Sequence, residues 1–455
     1  MKLDRRQRWL AGALTVSSFV ASFETTAVQT IAPQILDEIG GRSLYAMVFG
    51  VFTVAELVGL VFGGWLETRR GVVPAFVLGV LLHATGLLVC GTAPTFGSFL
   101  AGRAAQGLGT GIVVVSVYVI IATSYPDSQR GRVLGFIVAS WATPGFLGPL
   151  IAGTLTSLVS WRVVLWPVGL VDLALLAVIW PVMREVKNAS GTSPRPKPSL
   201  MSLLGPAFLL SAGVAGLLLL DELPRSASWP LLVVAGIAVG LGAVRLLPRG
   251  SWRLAPGLPA AVLLRGLIGA PWYGVAFLLP LALVEARGFR LAEAGLALSA
   301  GILGYAATGL LFGSSRLAET SRMVLIRVGT LAQCAGLAVT ATGVDPRMPV
   351  ALVYIGWSTT GLGTCLAVNS LNVVVLRLSE ESERGASTSA MAMAELVTVS
   401  ILTAVAGLAL AGASTGIAVV IPAQITMGVS ALGLLLLLAT VGRLRPTTAS
   451  HGHIR

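Results

Sequence analysis

Fourteen apolar runs, most of them about twenty residues long, follow one another along the chain with short polar breaks between them. A run of that length crosses about 30 Å of hydrocarbon as a helix. Lipid offers the backbone no partners, so each run must close its own hydrogen bonds. The chain of 455 residues is 55% hydrophobic and 11% charged, with more apolar surface than one soluble core could bury. The runs lie near 10–34, 44–66, 72–93, 97–123, 133–158, 163–183, 202–220, 230–247, 259–284, 293–313, 323–342, 349–374, 386–412 and 416–441. The seventh and eighth are barely long enough to span.

With the amino terminus inside, the 31 Lys and Arg sort as 23 cytoplasmic, 6 external and 2 within the membrane, Arg103 and Arg265. This positive-inside bias predicts both termini in the cytoplasm. It also makes the net charge of +12 a matter of topology rather than a nucleic-acid footprint. Met1 to Arg8 and the following run suit an uncleaved first helix better than a signal peptide. Cys90, Cys334 and Cys365 all lie in apolar runs without ligand spacing and read as core thiols, so no metal is expected.

Charges inside such runs are functional candidates, because each is costly unless it meets a partner or water. At 1.5 Å per residue, Glu24 lies about 22 Å above Trp9 and Arg103 about 10 Å below the opposite face. Those heights nearly coincide, so the two can pair. Glu24 is then either half of a structural ion pair or a protonatable acid facing a cavity. Burial favours its neutral form and the guanidinium its ionised one. Glu56, Asp172 and Glu395 come out near the midplane, as second proton or substrate sites or as acids held neutral between helices. Arg265 lies nearer the inner face, where it can snorkel. His83 reads as a packing histidine rather than a relay. Trp272, Tyr273 and Phe277 could wall a cavity for a lipophilic substrate, or only fill a core. No phosphate-cradling loop with a lysine occurs, which argues against ATP drive.

The fourth run carries Arg103-x-x-Gln106-Gly107-x-Gly109-x-Gly111, and the fifth Gly145-x-x-Gly148-Pro149-x-x-x-Gly153, followed by Trp161-Arg162. Between them lies a basic loop with Arg130 and Gly131. These stretches resemble the drug:proton antiporters of the major facilitator superfamily, with R-x-x-Q-G-x-G on the fourth helix and G-x-x-x-G-P-x-x-G-G then W-R on and after the fifth. Ala152 stands where the first paired glycine would be. Glu24, Thr25 and Gln29 fall in a stretch similar to the same family's L-D-x-T-I-V-N-V-A-L-P, with Glu for Asp and Gln for Asn. Pro33 is expected to end that helix. Gly63, Glu67, Arg69, Arg70 and Gly71 resemble the superfamily's G-x-L-a-D-r-x-G-r-r loop, with Glu67 at the acidic position. In that family this loop is a charge latch.

The latch repeats as 315–320, ending in Glu319-Thr320. Thr360-Gly361-Leu362-Gly363-Thr364 echoes Gln106-Gly107-Leu108-Gly109-Thr110, with Trp357 in place of the arginine, and Arg384-Gly385 echoes Arg130-Gly131. Two similar halves suit a transporter built from repeats. The stretch 288–296 is similar to the start of the second half in the fourteen-helix branch. The expectation is an all-α integral membrane fold: two pseudo-symmetric six-helix bundles, 1–183 and 259–455, with a linker and two extra helices in 184–258.

The resemblance implies a proton-coupled exporter of lipophilic or cationic small molecules in a bacterial cell membrane, driven by the proton gradient without a cofactor. It would be monomeric, with substrate, protons and the bilayer as partners. Export of a specific lipid or endogenous metabolite is the alternative. A membrane enzyme would need a loop constellation of His, Asp and Glu, and a sensor an output domain; neither is present.

Overall fold

The computed structural model describes residues 4–184, 200–220, 225–312, 321–379, 384–410 and 416–444. Among these residues there is no strand. The helices are α1 (Arg5–Ile39), α2 (Tyr45–Arg70), α3 (Val72–Gly91), α4 (Phe96–Ser124), α5 (Asp127–Leu158), α6 (Arg162–Met183), α7 (Leu200–Leu218) and α8 (Arg225–Leu246). They continue with α9 (Leu258–Ala276), α10 (Leu278–Arg287), α11 (Leu291–Phe312), α12 (Arg322–Val344), α13 (Ala351–Leu378), α14 (Arg384–Leu410) and α15 (Val420–Leu438). Because α9 and α10 form one crossing interrupted at Phe277, the described chain makes 14 crossings. Eleven segments are long and apolar enough to cross on composition alone. The other three, α1, α5 and α7, cross beside them.

The first helix outruns its expected end. Pro33 lies inside α1, which continues to Ile39 and stops where Gly40 and Gly41 take φ of +80° and +91°. A proline removes one backbone bond, and neighbouring helices allow the helix to continue past it.

Two bundles share one packing plan. In the first, α4 lies between α2 and α3, and α1 packs on α5 and α6; in the second, α13 lies between α11 and α12, and α9 packs on α14. The hairpin α7–α8 leans on both, α7 touching α2 and α14.

Glycines on α4 explain the closeness of the first bundle. A Cβ at Gly107 would stand 2.2 Å from the carbonyl oxygen of Phe52, and one at Gly111 2.1 Å from that of Glu56, so this face admits α2 only without side chains. On the opposite side of α4, a Cβ at Gly109 would stand 2.4 Å from the backbone nitrogen of His83 on α3. The second bundle repeats the device: a Cβ at Gly361 would stand 1.9 Å from the oxygen of Gly301, and one at Gly363 2.4 Å from the nitrogen of Gln333. The R-x-x-Q-G-x-G-x-G spacing thus offers α2 and α3 a bare backbone each and leaves Arg103 to reach α1.

Candidate functional site

With α4 held that close, Arg103 has one place to go. Its Nη1 donates to Glu24 Oε1 at 2.5 Å and to Gln106 Oε1 at 3.0 Å, and its Nε donates to the Val48 carbonyl at 3.1 Å. The guanidinium also lies 4.3 Å from the centre of the Phe52 ring. Both charges are sealed, Glu24 at 1% exposure and Arg103 at 2%. Glu24 Oε2 is left without a partner. The depth arithmetic on the sequence thus placed a true contact. Gln106 is fully buried, Gln29 is buried one turn and more above Glu24, and the half-buried Thr25 donates its hydroxyl to the Ala21 carbonyl.

Two of the other midplane acids, Glu395 and Asp172, also have basic partners. In the second bundle, Arg265 on α9 donates to both oxygens of Glu395 on α14, at 2.8 and 3.2 Å, and to Asn372 on α13 at 2.9 Å. The expectation that Arg265 snorkels is therefore corrected, because a bidentate carboxylate and an amide within reach hold a guanidinium better than the route to the interface. This pair keeps some access, with side-chain exposures of 14% and 19%. In the first bundle, His83 Nδ1 and Asp172 Oδ2 meet at 2.6 Å across α3 and α6, both buried. Neither partnership was read from the sequence, although one base and one acid at similar heights on different helices was signal enough. Glu56 is half-buried between the bundles, within electrostatic reach of Glu395, Glu24 and Arg103.

The aromatic residues divide. Trp272 stacks on Trp357 with rings 5.0 Å apart and 3° from parallel, and touches Tyr305 at 5.9 Å. Trp357 occupies the position on α13 that Arg103 has on α4, so the second bundle carries a Trp–Trp stack where the first carries its ion pair. Tyr273 is 40% exposed. Phe277 is a buried seam residue: it stacks on Phe49 at 4.8 Å, and its carbonyl accepts the Tyr45 hydroxyl at 2.6 Å.

The basic residues Arg5, Arg69, Arg70, Arg245 and Arg322 all stand at the helix ends of one face, where α1 begins. At the opposite face the bundles are clamped. Arg42 pairs with Asp37 and reaches Glu285 in the second bundle at 2.6 Å. On α5, Gly148 rests against Thr26, while Pro149 and Gly153 lie against Gly295 and Ala292 of α11. The Gly-Pro motif therefore serves two contacts, one inside its own bundle and one across the seam. Trp161 and Arg162 tie Glu38 at the end of α1, and Arg162 also donates to the Ala93 carbonyl at 3.2 Å.

At the basic face, Gly63 packs on Ile112, and buried Glu67 accepts the Ser116 hydroxyl at 2.7 Å, tying α2 to α4. Arg69 and Arg70 are exposed, Arg69 lying 5.5 Å over Trp65, and Gly71 turns the chain at φ +89°. Arg130, Gly131 and Gly145 lie in α5, and Arg384 begins α14, but their side chains lie outside the described residues, as does the whole of Glu319.

The sequence model of the Major Facilitator Superfamily matches residues 14–396. Among similar proteins, the MFS-type transporter ungB of Aspergillus violaceofuscus is 28% identical over 66% of this chain and 58% of its own. A probable multidrug-efflux transporter of Mycobacterium tuberculosis is 29% identical over 41% of this chain and 39% of its own. An MFS-type transporter of the acurin A biosynthesis cluster of Aspergillus aculeatus is 28% identical over 46% and 37%. The chain spans less than two thirds of these relatives' lengths. The crystal structure of a POT family transporter in complex with 5-aminolevulinic acid superposes with a TM-score of 0.68 over 95% of this chain and 96% of that one, at 14% identity.

Proposed function

The chain belongs to the Major Facilitator Superfamily, and from that membership we propose that it is a proton-coupled exporter of lipophilic or cationic small molecules, working by alternating access. The observation that carries this reading is the sealed pair of Glu24 and Arg103. It leaves one carboxylate oxygen free of partners at the bundle's centre. An acid so placed holds a proton in one state and surrenders it to the pull of the guanidinium in another, which is what exchange requires.

In this reading the basic face is cytoplasmic, in a bacterial inner membrane, with both termini inside. The clamp through Arg42, Glu285, Tyr45 and Phe277 then shuts the outer side. The arrangement is the inward-facing state, in which cargo enters from the cytoplasm or inner leaflet. Glu56, half-buried on the first bundle, and Glu395 with Arg265, Trp272 and Tyr273 on the second, line the way between the bundles. The name of the mycobacterial relative supports efflux of foreign compounds. That of the acurin-cluster relative supports a second reading, export of an endogenous metabolite.

The test is a compound screen in inverted vesicles under an imposed pH gradient. Wild type should acidify the lumen less in the presence of its cargo, and Glu24→Gln should lose that exchange entirely. Undiminished exchange in Glu24→Gln would overturn the proposal. Cargo confined to one natural product would favour the second reading.

A further inference from the structure

Beneath the Glu24–Arg103 pair lies a second buried acid–base couple. His83 and Asp172 meet at 2.6 Å, with His83 5% and Asp172 4% exposed. A carboxylate accepts, so Nδ1 carries the hydrogen that bridges them. The other ring nitrogen, Nε2, is buried without a partner. One bond would suffice to tie α3 to α6, so the tie alone does not account for a bare second nitrogen.

The acid of the couple also borders a gap between helices. A narrow cleft of about 10 Å³, room for roughly one water, opens beside Asp172 between α1, α3 and α6, lined among others by Ser17, Ala13, Phe76 and Ile179. Phe76 and Ile179 stand seven residues, about 10 Å, nearer the basic face than His83 and Asp172. The cleft therefore lies on the basic-face side of Asp172, away from Glu24.

The charges around the couple are few. Glu24 on α1, Arg103 on α4 and Glu56 on α2 act on His83 or are acted on by it. His83 rests its backbone on Gly109, six residues or about 9 Å along α4 from Arg103. In a low-dielectric bundle, charges that near must balance one another.

We propose that His83 and Asp172 form the inner proton site of the first bundle, on the basic-face side of Glu24 and exchanging protons in opposition to it. This rests on the proton-exchange reading above. When Glu24 is ionised it cancels Arg103, and the couple holds an imidazolium beside a carboxylate, neutral overall. When Glu24 takes a proton from the outer side, Arg103 is left uncompensated. The N–H bond at Nε2 then breaks, its proton passes to water from the cytoplasmic side, and the imidazole–carboxylate couple carries one negative charge that again balances Arg103. One proton enters at Glu24 and one leaves at Nε2, with the charge of the bundle unchanged.

The chain has three histidines, and two of them, His451 and His453, lie in its tail. In the His451→Gln/His453→Gln chain, His83 is the sole histidine, and nitrogen-15 spectra of labelled protein in nanodiscs at pH 7 read its ring directly. Nε2 should carry a proton in that background and lose it when Glu24→Gln is added, since glutamine keeps the contact and removes the charge. An Nε2 in the same state in both chains, protonated or bare, overturns the proposal. No cargo enters this measurement, so a failure of Glu24→Gln to stop export in vesicles would count against the exporter reading separately.

Discussion

Arg103 illustrates how much one residue's surroundings decide. An isolated guanidinium at this depth would be prohibitive, yet here it has a carboxylate, an amide and a carbonyl as acceptors and a ring beneath it. Removing half of such a pair leaves the other charge buried and unpaired, which costs about 3–5 kcal/mol. Arg103→Ala is therefore expected to lower the unfolding midpoint in detergent sharply. The double change Arg103→Met/Glu24→Met should recover most of that loss while remaining inactive. A double variant as unstable as the single one would mean that the pair matters for more than charge compensation.

Glu38 gives the pH dependence at the outer edge, beyond the expected span of the first helix. Hydrogen bonding from Arg162 is the largest influence on its carboxyl and holds it below the ordinary 4.5. An acid lowered by folding contributes stability that is full above its unfolded value and lost as pH falls through the folded one. The contribution is full well above 4.5 and is lost as pH falls through the lower folded value. Since Glu38 is nearly half exposed, it amounts to under about 1 kcal/mol. The gap in unfolding midpoint between wild type and Glu38→Gln should be small at neutral pH and close once the medium is acidic enough to protonate the folded carboxyl.

At the scale of elements, α4 and α7 carry the argument. A methyl at Gly107 or Gly111 would collide with backbone oxygens of α2, which cannot rotate away as a side chain could. Overpacking of this kind costs about 1–3 kcal/mol or more. Gly107→Ala should therefore weaken folding and displace Arg103, measured as lower yield and a lower unfolding midpoint; Gly64→Ala, with open space around it, should do neither. The hairpin α7–α8 has a part the sequence did not suggest. Leu218, at the end of α7, sits against Gly50 of α2 and Gly407 of α14, within 2.6 and 2.4 Å of where their Cβ atoms would be. Those glycines belong to different bundles, so Leu218 fits this notch only while the clamped face is shut. Leu218→Ala is expected to shift the chain toward the state open on that side. Spin labels near Ser43 and Leu408 should report a larger long-distance fraction. Unchanged distances would make the hairpin a bystander to the cycle.

At the scale of the whole molecule, two bundles of one plan carry different chemistry at matching positions. The first bundle holds Glu24 with Arg103 and His83 with Asp172; the second holds the Trp272–Trp357 stack at its centre and Arg265 with Glu395 nearer the basic face. In the proposed cycle, proton exchange falls to the first bundle, and the second, with exposed Tyr273 and half-buried Trp272, meets the cargo. Trp272→Ala should accordingly raise the KM for lipophilic cargo several-fold while leaving proton release by the cargo still bound unchanged.

Periodicity and length alone determined the number of crossings and, within a few residues, their bounds, because a segment in lipid must satisfy its own backbone and so declares itself locally. Helical rise along two such segments also brought Glu24 and Arg103 to one height. What it left open was azimuth: which side of each helix faces which neighbour depends on contacts between segments far apart in the chain. Only the packed structure decided that Arg265 turns to Glu395 rather than to the interface, that His83 meets Asp172, and that Leu218 enters a notch made by two helices from different halves.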